Sequence, residues 1–486
     1  MMEKEIKGEK KSPFDLLKEL ALSYTYFYTK EGWVFVSISD GGKKVILRVD
    51  GEEFKNYLIY NLHKKYDLTL GSDGLSNLLT LLRAYAKNEG ELIKTFQRVG
   101  KHKGIFFYNL ANEAGEIIKV TSKGIKVVQQ SPIAFVRSRN TLEQVKPVHD
   151  PDIDVWTLKE YFNTASEEDF TLLLIHILSC FIPEISHHVL MLLGNQGSSK
   201  STVSKMIKAL VDPSIVDVST MPKNKEDLVL QLSTEYMVAF DNIGTLRAEY
   251  NDIFCQVVTG GNYVKRRLYT DDDIVVHSYK RCLILNGINY LTTQADLLDR
   301  SIVVTLKKIS SSKRIPEKEL LGNFYTNLPY ILHSIFKTIS KAKKIYRNLE
   351  IEKLPRMADV VKWQCAIAEA LDINYVDFLD IYNRNRDCIN SEIISSNPTA
   401  NALILLMKDR ENWKSSVSEL WENMDIIAYQ KNMNRSDPLW AKSPSSLSRQ
   451  LNVLKVNLES IGLVFSIRNI GINKQITIKN RNWRGE

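Results

Sequence analysis

At 486 residues the chain exceeds what a single hydrophobic core ordinarily serves, and at roughly 150 residues per domain it is expected to form about three units. Its 44% hydrophobic, 25% charged and 9% aromatic residues lie at globular averages, which excludes disordered, collagen-like and coiled-coil classes. The formal charge is +8, and residues 441–486 carry eight Lys/Arg against two acids, a distribution that faces polyanions or else solvates a tail.

The longest apolar stretch, Phe170 to Ile182, contains His176 and ends at Pro183, short of the ~18 to 20 residues that span a bilayer. The first ten residues alternate charge and lack the apolar segment of a secretory signal, so a cytoplasmic protein without a membrane partner is expected. The five cysteines, Cys180, Cys255, Cys282, Cys365 and Cys388, show no CxxC spacing, which argues against a disulfide framework and against a structural zinc site.

In chain order, residues 1–150 are expected to form an α+β domain. Helical patterns at Phe14 to Tyr28, Phe54 to Tyr66 and Leu75 to Ala86 flank an apolar alternation at Trp33 to Ile38. Short apolar runs at Ile105 to Leu110, Glu116 to Val120, Ile125 to Val128 and Ile133 to Val136 then have the spacing of an antiparallel meander. Lys146 to Asp154 reads as a linker whose Asp150, Asp152 and Asp154 form a solvated hinge or, alternatively, metal ligands. From 151 to 345 helices alternate with wholly apolar strands (His188 to Leu193, Tyr236 to Phe240, Cys282 to Leu285, Ile302 to Leu306), the pattern of a parallel sheet covered on both faces. Residues 346–397 read as helical, and 398–486 as a small terminal domain.

The strand ending at Leu193 runs into Gly194-Asn195-Gln196-Gly197-Ser198-Ser199-Lys200-Ser201-Thr202 and a helix. In a Walker A loop small residues let backbone N–H groups curl round phosphate, a lysine reaches the β/γ-phosphates and Ser/Thr binds Mg2+. Ser199 stands where the template has its last glycine. About forty residues on, an apolar strand ends in Asp241-Asn242, the Walker B arrangement beside Ser201. The next strand ends in Asn286-Gly287, an amide for a γ-phosphate or water, or a simple turn. Arg300 follows Asp296 and Asp299 as a structural ion pair or as a guanidinium reaching a neighbouring subunit.

This order resembles an AAA+ ATPase, and more narrowly the superfamily 3 and MCM-like replicative helicases of phages and mobile elements, including those of staphylococcal cassette chromosomes. The resemblance runs through GNQGSSKST, VAFDNIG, VTGGNYVKRRLYTDDD, LILNGIN, DLLDR and LPRMAD. It implies ATP bound by 194–202, Mg2+ held by Ser201 and Asp241, Asn242 in Walker B, Asn286 as sensor 1 and Arg300 as arginine finger. It implies Arg356 as sensor 2, with a helix-surface arginine as the alternative. Many AAA+ proteins have a glutamate where this chain has Asn242, an amide that orients water but accepts no proton; Glu235 is a remote alternative acid.

Between Walker B and sensor 1, Asn262 to Arg281 reads as a hairpin about an acidic turn, the position of the channel-lining presensor-1 hairpin in the resembled helicases. Lys265, Arg266 and Arg267 are its phosphate candidates, with a solvated charge run as the alternative; Lys223 and Lys225 form a weaker second set. At the C-terminus, helical patterns at Ala400 to Lys408, Val417 to Met424 and Ser445 to Ile461 precede two alternating strands, a winged-helix order. Its third helix would offer Ser445, Ser448, Arg449 and Asn452 to a DNA groove, with Lys474 on the wing; protein docking is the alternative.

The fold expected is therefore a multidomain chain with an α/β AAA+ P-loop core, an α+β N-terminal domain, a helical lid and a C-terminal winged helix. The function expected is an ATP-dependent, ring-forming DNA helicase, 3′ to 5′ and hexameric by resemblance, acting on single-stranded and forked DNA with other replication proteins of the same element. An ATP-switched origin-binding initiator or loader is the alternative.

Overall fold

The computed structural model describes residues 11–40, 43–266, 274–278, 280–292, 294–470 and 473–483. At its centre lies a five-stranded parallel sheet in the order Ser219–Thr220, Met237–Ile243, Cys282–Gly287, Val189–Leu193, Ser301–Thr305. Alternate residues of a strand point to opposite faces, and the apolar strands sort accordingly into two cores. Leu190, Leu192, Ile284, Ile302 and Val304 enter one, while Val189, Met191, Leu193, Leu283, Leu285 and Val303 enter the other. Each fully buried Leu, Ile or Val contributes about 1.5–3 kcal/mol on removal from water, so both faces must be covered.

The first face is covered by helices Glu167–Ser179, Lys200–Val211, Glu317–Ile345 and Ala358–Ala370. The second is covered by Lys225–Thr234 and Ala248–Thr259 and, continuously with them, by the C-terminal helices Pro398–Met407, Val417–Gln430 and Pro444–Val453.

Near the N-terminus, helices Pro13–Leu22, Glu52–Tyr66 and Ser72–Glu89 pack on a sheet ordered Lys43–Arg48, Val34–Asp40, Thr25–Tyr28, Glu91–Leu92, and this unit has its own core. The first helix ends earlier than the pattern from Phe14 suggests. Thr25–Tyr28 is strand, because its aromatic and β-branched side chains sit on a half-buried sheet paired with Val34–Asp40.

The expected meander forms over Ile105–Asn109, Ile117–Thr121 and Gly124–Val128, and Val99–His102, a strand the pattern did not disclose, pairs with its first strand. The run at Ile133 does not join it: Ala134–Phe135 follows Pro132, which has no N–H to donate, and pairs parallel with Thr95–Phe96. The expected division near residue 150 does not coincide with a division of the core. Val99, Phe106, Tyr108, Leu110, Ile118 and Val120 share the first core with the helices named above. Arg98 seals this joint: its guanidinium donates to Asp212 (2.8 Å) and to the carbonyls of Asn109, Leu142 and Pro213.

Residues 346–357 are not helical up to the helix Ala358–Ala370, consistent with Pro355 disfavouring helical backbone before it. The helix expected over Ser445 to Ile461 is broken at Leu454 into Pro444–Val453 and Lys455–Ser460, although Leu447, Leu451, Leu454 and Leu458 are all buried as expected. Leu463–Ile470 and Asn473–Asn480 pair antiparallel, and a strand the pattern did not disclose, Asn412–Ser416, adds to their edge. Among the described residues no helix is long and apolar enough to cross a membrane.

Candidate functional site

The Val189–Leu193 strand lies between Cys282–Gly287 and Ser301–Thr305, so its C-terminal end opens into a loop flanked by two other strand ends. That loop is shaped by backbone requirements. Gly197 has φ of 83°, and Ser199, where the template has glycine, takes φ of 57° as it starts the helix Lys200–Val211. An L-residue in this left-handed region costs roughly 1–2 kcal/mol. A Cβ on Gly194 would lie 2.6 Å from Ser198 Oγ and 2.8 Å from the Leu306 carbonyl oxygen, so only glycine fits there. Ser198 is buried, while Asn195 and Gln196 are exposed.

Lys200 folds over this loop, its Nζ donating to the Gly194 carbonyl at 2.6 Å and the Asn195 carbonyl at 3.2 Å. Partial burial holds its pKa below the ordinary lysine value, with the nearby Asp241 carboxylate opposing the shift. Asp241 is the hub of the site. Its Oδ2 accepts from Ser201 Oγ (2.5 Å), and its Oδ1 accepts from Asn286 Nδ2 (3.2 Å) and from the Asn242 amide (2.8 Å). Asn286 is fully buried, and its Oδ1 accepts from Ser204 Oγ at 3.0 Å. Lys200, Ser201, Asp241 and Asn286, picked out one by one along the chain, thus meet at one end of the sheet. Asn242 is exposed, with φ of 55°. Thr202 turns to Glu317, whose carboxylate also lies 3.2 Å from Lys205.

Arg300 sits at the other end of the sheet: its carbonyl accepts from the amide of Val189, the first residue of the loop-bearing strand. Five residues of strand span roughly 16 Å, so Arg300 does not reach the 194–199 loop of its own chain. It is paired with Asp296 at 2.5 Å. Arg356 joins the same cluster, bonding Asp296 (2.7 Å) and Asp299 (3.3 Å), and Arg386 bonds Asp299 (2.9 Å). The geometry therefore separates Arg356 from the chain's own 194–199 loop, beside which the expected sensor 2 would have to stand to act within one subunit. Glu235 is also corrected. It opens its strand at the end away from Asp241, is buried, and is ion-paired with Lys208. Burial raises its pKa while Lys208 works against that rise.

Arg314 is a residue that sequence reasoning missed. Its guanidinium stands 3.6 Å from where a Cβ of Gly197 would lie, directly at the loop. No periodicity or motif marks it, since it lies in the irregular stretch between strand Ser301–Thr305 and helix Glu317–Ile345.

Strands Asn262–Arg266 and Ile274–Ser278 pair antiparallel as the expected hairpin. Lys265 and Arg266 lie on its first strand, whereas Arg267 and Asp271 to Asp273 fall outside the described residues. Lys225 pairs with Glu249, and Lys223 is exposed. In the terminal region Ser445, Arg449, Asn452 and Lys474 are exposed, but Ser448 is 4% exposed and faces the core, so it cannot meet a groove. A cavity of about 1080 Å³ between the N-terminal unit and the sheet was not foreseen; Lys30, Lys94, Arg137, Arg139 and Lys280 are among its lining residues.

Residues 154–392 match the family model of the actinomycete integrative conjugative element replication protein, and residues 399–484 match the model of that protein's RepA C-terminal domain. Together the two models take in about two thirds of the chain. No curated protein sequence matches it. Among solved structures, the active helicase Cch of SCCmec type IV is similar at 10% identity and a TM-score of 0.49, over 94% of this chain and 92% of that one. The apo C-terminal region of NrS-1 is similar at 12% identity and a TM-score of 0.41, over 97% of this chain and 100% of that one.

Proposed function

Since the chain belongs to the replication proteins of integrative conjugative elements, we propose that it is an ATP-driven DNA helicase that works as a ring, hexameric and translocating 3′ to 5′, in replication of a mobile element. The observation that carries this reading is the junction of Lys200, Ser201, Asp241 and Asn286 at one sheet end, with Arg300 held at the other.

In this reading the backbone of 194–199 and the N-terminus of helix Lys200–Val211 cradle the phosphates of ATP. Lys200 exchanges its carbonyl partners for phosphate oxygens. Ser201 Oγ and Asp241 would hold Mg2+, whose charge would neutralise the phosphates. Asn286, locked between Ser204 and Asp241, points an amide where the γ-phosphate or its attacking water would lie. Asn242 orients that water without taking its proton, which passes to phosphate. Arg314 supplies the guanidinium on the nucleotide's own side. Arg300, unable to reach its own loop, completes the site of a neighbouring subunit as an arginine finger, which is why a ring is required.

The sheet order with the loop strand second from an edge supports an AAA+ core, and the terminal helices, the third of them broken at Leu454, followed by a hairpin support a terminal winged helix with Arg449 and Lys474 towards DNA. A second reading, an ATP-switched initiator or loader with little unwinding, is favoured by Asn242.

The test is DNA-stimulated ATP turnover with strand displacement on forks bearing a 3′ or a 5′ tail. Lys200→Ala should abolish turnover. Arg300→Ala should bind ATP without hydrolysing it, and mixing the two variants should restore some composite sites. Turnover unaffected by DNA, with no displacement from either fork, rejects the motor and leaves the switch.

A further inference from the structure

The scattered cysteines conceal a cluster. Cys180 closes the helix Glu167–Ser179, His187 stands two residues before the strand Val189–Leu193, and Cys282 begins the neighbouring, central strand. Their sulfur and ring-nitrogen donor atoms all lie within 4.8 Å of one another, and all three residues are buried. A tetrahedral shell with bonds of 2.0–2.3 Å puts donor atoms about 3.3–3.8 Å apart, so shifts of about an ångström would close it.

His187 is oriented for this. The Tyr236 hydroxyl donates to the Cys180 carbonyl at 2.7 Å, so its lone pairs face His187 Nε2 at 3.3 Å. That arrangement places the imidazole proton on Nε2 and the free lone pair on Nδ1, which is buried without a hydrogen-bond partner. A second buried imidazole, His176, lies one helical turn before Cys180, its Nε2 3.7 Å from Cys180 Sγ. Orphaned buried nitrogens are rare and point to a missing ligand.

We propose that Cys180, His187 and Cys282 bind a structural zinc ion, with His176, which stands outside this group of three but against Cys180 Sγ, turning in to take the fourth position. Soft sulfur and imidazole donors select zinc over magnesium or calcium. Two thiols give up their protons, so two thiolates and one Zn2+ make an uncharged unit suited to a site without solvent. The large cavity also has His187 and Tyr236 in its lining, which provides a route for entry. Tyr236 is a positioning residue that sets the tautomer of a ligand. The ion would pin the starts of two adjacent strands whose far ends carry Gly194 and Asn286.

The experiment is metal analysis of the full-length protein, grown with added zinc and purified without chelator, followed by Co2+ exchange. We expect close to one zinc per chain and the charge-transfer and d–d bands of tetrahedral cobalt thiolate. Cys282→Ser should lose both signals, while Cys365→Ser, a buried thiol elsewhere, should keep them. Wild-type protein with neither zinc nor a cobalt spectrum overturns the proposal, as does an intact mass showing a Cys180–Cys282 disulfide. The wild-type result decides the matter even if Cys282→Ser fails to fold.

Discussion

Replacing Arg98 by methionine tests how the meander is fastened to the five-stranded sheet and its first core. Arg98 and Asp212 are 1% and 8% exposed at their side chains, and their 2.8 Å ion pair is accompanied by three guanidinium bonds to carbonyls. Methionine keeps much of the volume but leaves Asp212 with only the amides of Tyr236 and Met237 as its partners among those described here. Breaking one side of a buried pair costs about 3–5 kcal/mol. At 1.4 kcal/mol per decade, amide protection in Val99–His102 and Ile105–Asn109 should fall by roughly 100- to 4,000-fold, read by hydrogen exchange with mass spectrometry. Adding Asp212→Asn should recover part of the loss by removing the unpaired charge. If Arg98→Met lowers protection less than about tenfold, or lowers it equally throughout the first core, this joint is not held by the Arg98 pair.

Ser199→Gly should stabilise the protein by about 1 kcal/mol in calorimetry without nucleotide, because glycine accepts φ of 57° without strain; a loss of stability would contradict the left-handed turn. Arg314→Ala should raise the KM for ATP within each subunit, whereas Arg356→Ala should leave mononucleotide binding unchanged, and the reverse outcome in equilibrium binding would restore Arg356 as sensor 2. Burial, reinforced by Lys101 and Arg347, lowers the Lys343 pKa to about 8. The unfolded chain, with a lysine near 10.4, then binds more protons between those values, so this group's penalty is full below pH 8 and is relieved as pH rises towards 10. Lys343→Met should be favoured relative to wild type most at pH 7 and progressively less towards pH 10; a constant difference in melting temperature across that range would refute the assignment.

What the linear chain determined by itself was local. Continuous apolar runs gave the parallel strands, because a strand covered on both faces has no polar alternation, and the small residues before Lys200 announced a loop requiring unusual backbone. Lys200, Ser201, Asp241 and Asn286 were legible because each terminates or follows such a run. Only the tertiary structure decided which side chains share a neighbourhood. Strand order put Asn286 against Asp241 and sent Arg300 to the far end, drawing Arg356 with it through Asp296 and Asp299. It merged the meander with the sheet's first core, and it brought Cys180 to Cys282 across a hundred residues that carry no spacing signal. Periodicity reports the face a residue occupies; the pairing of strands, which depends on the summed burial of distant segments, decides what that face meets.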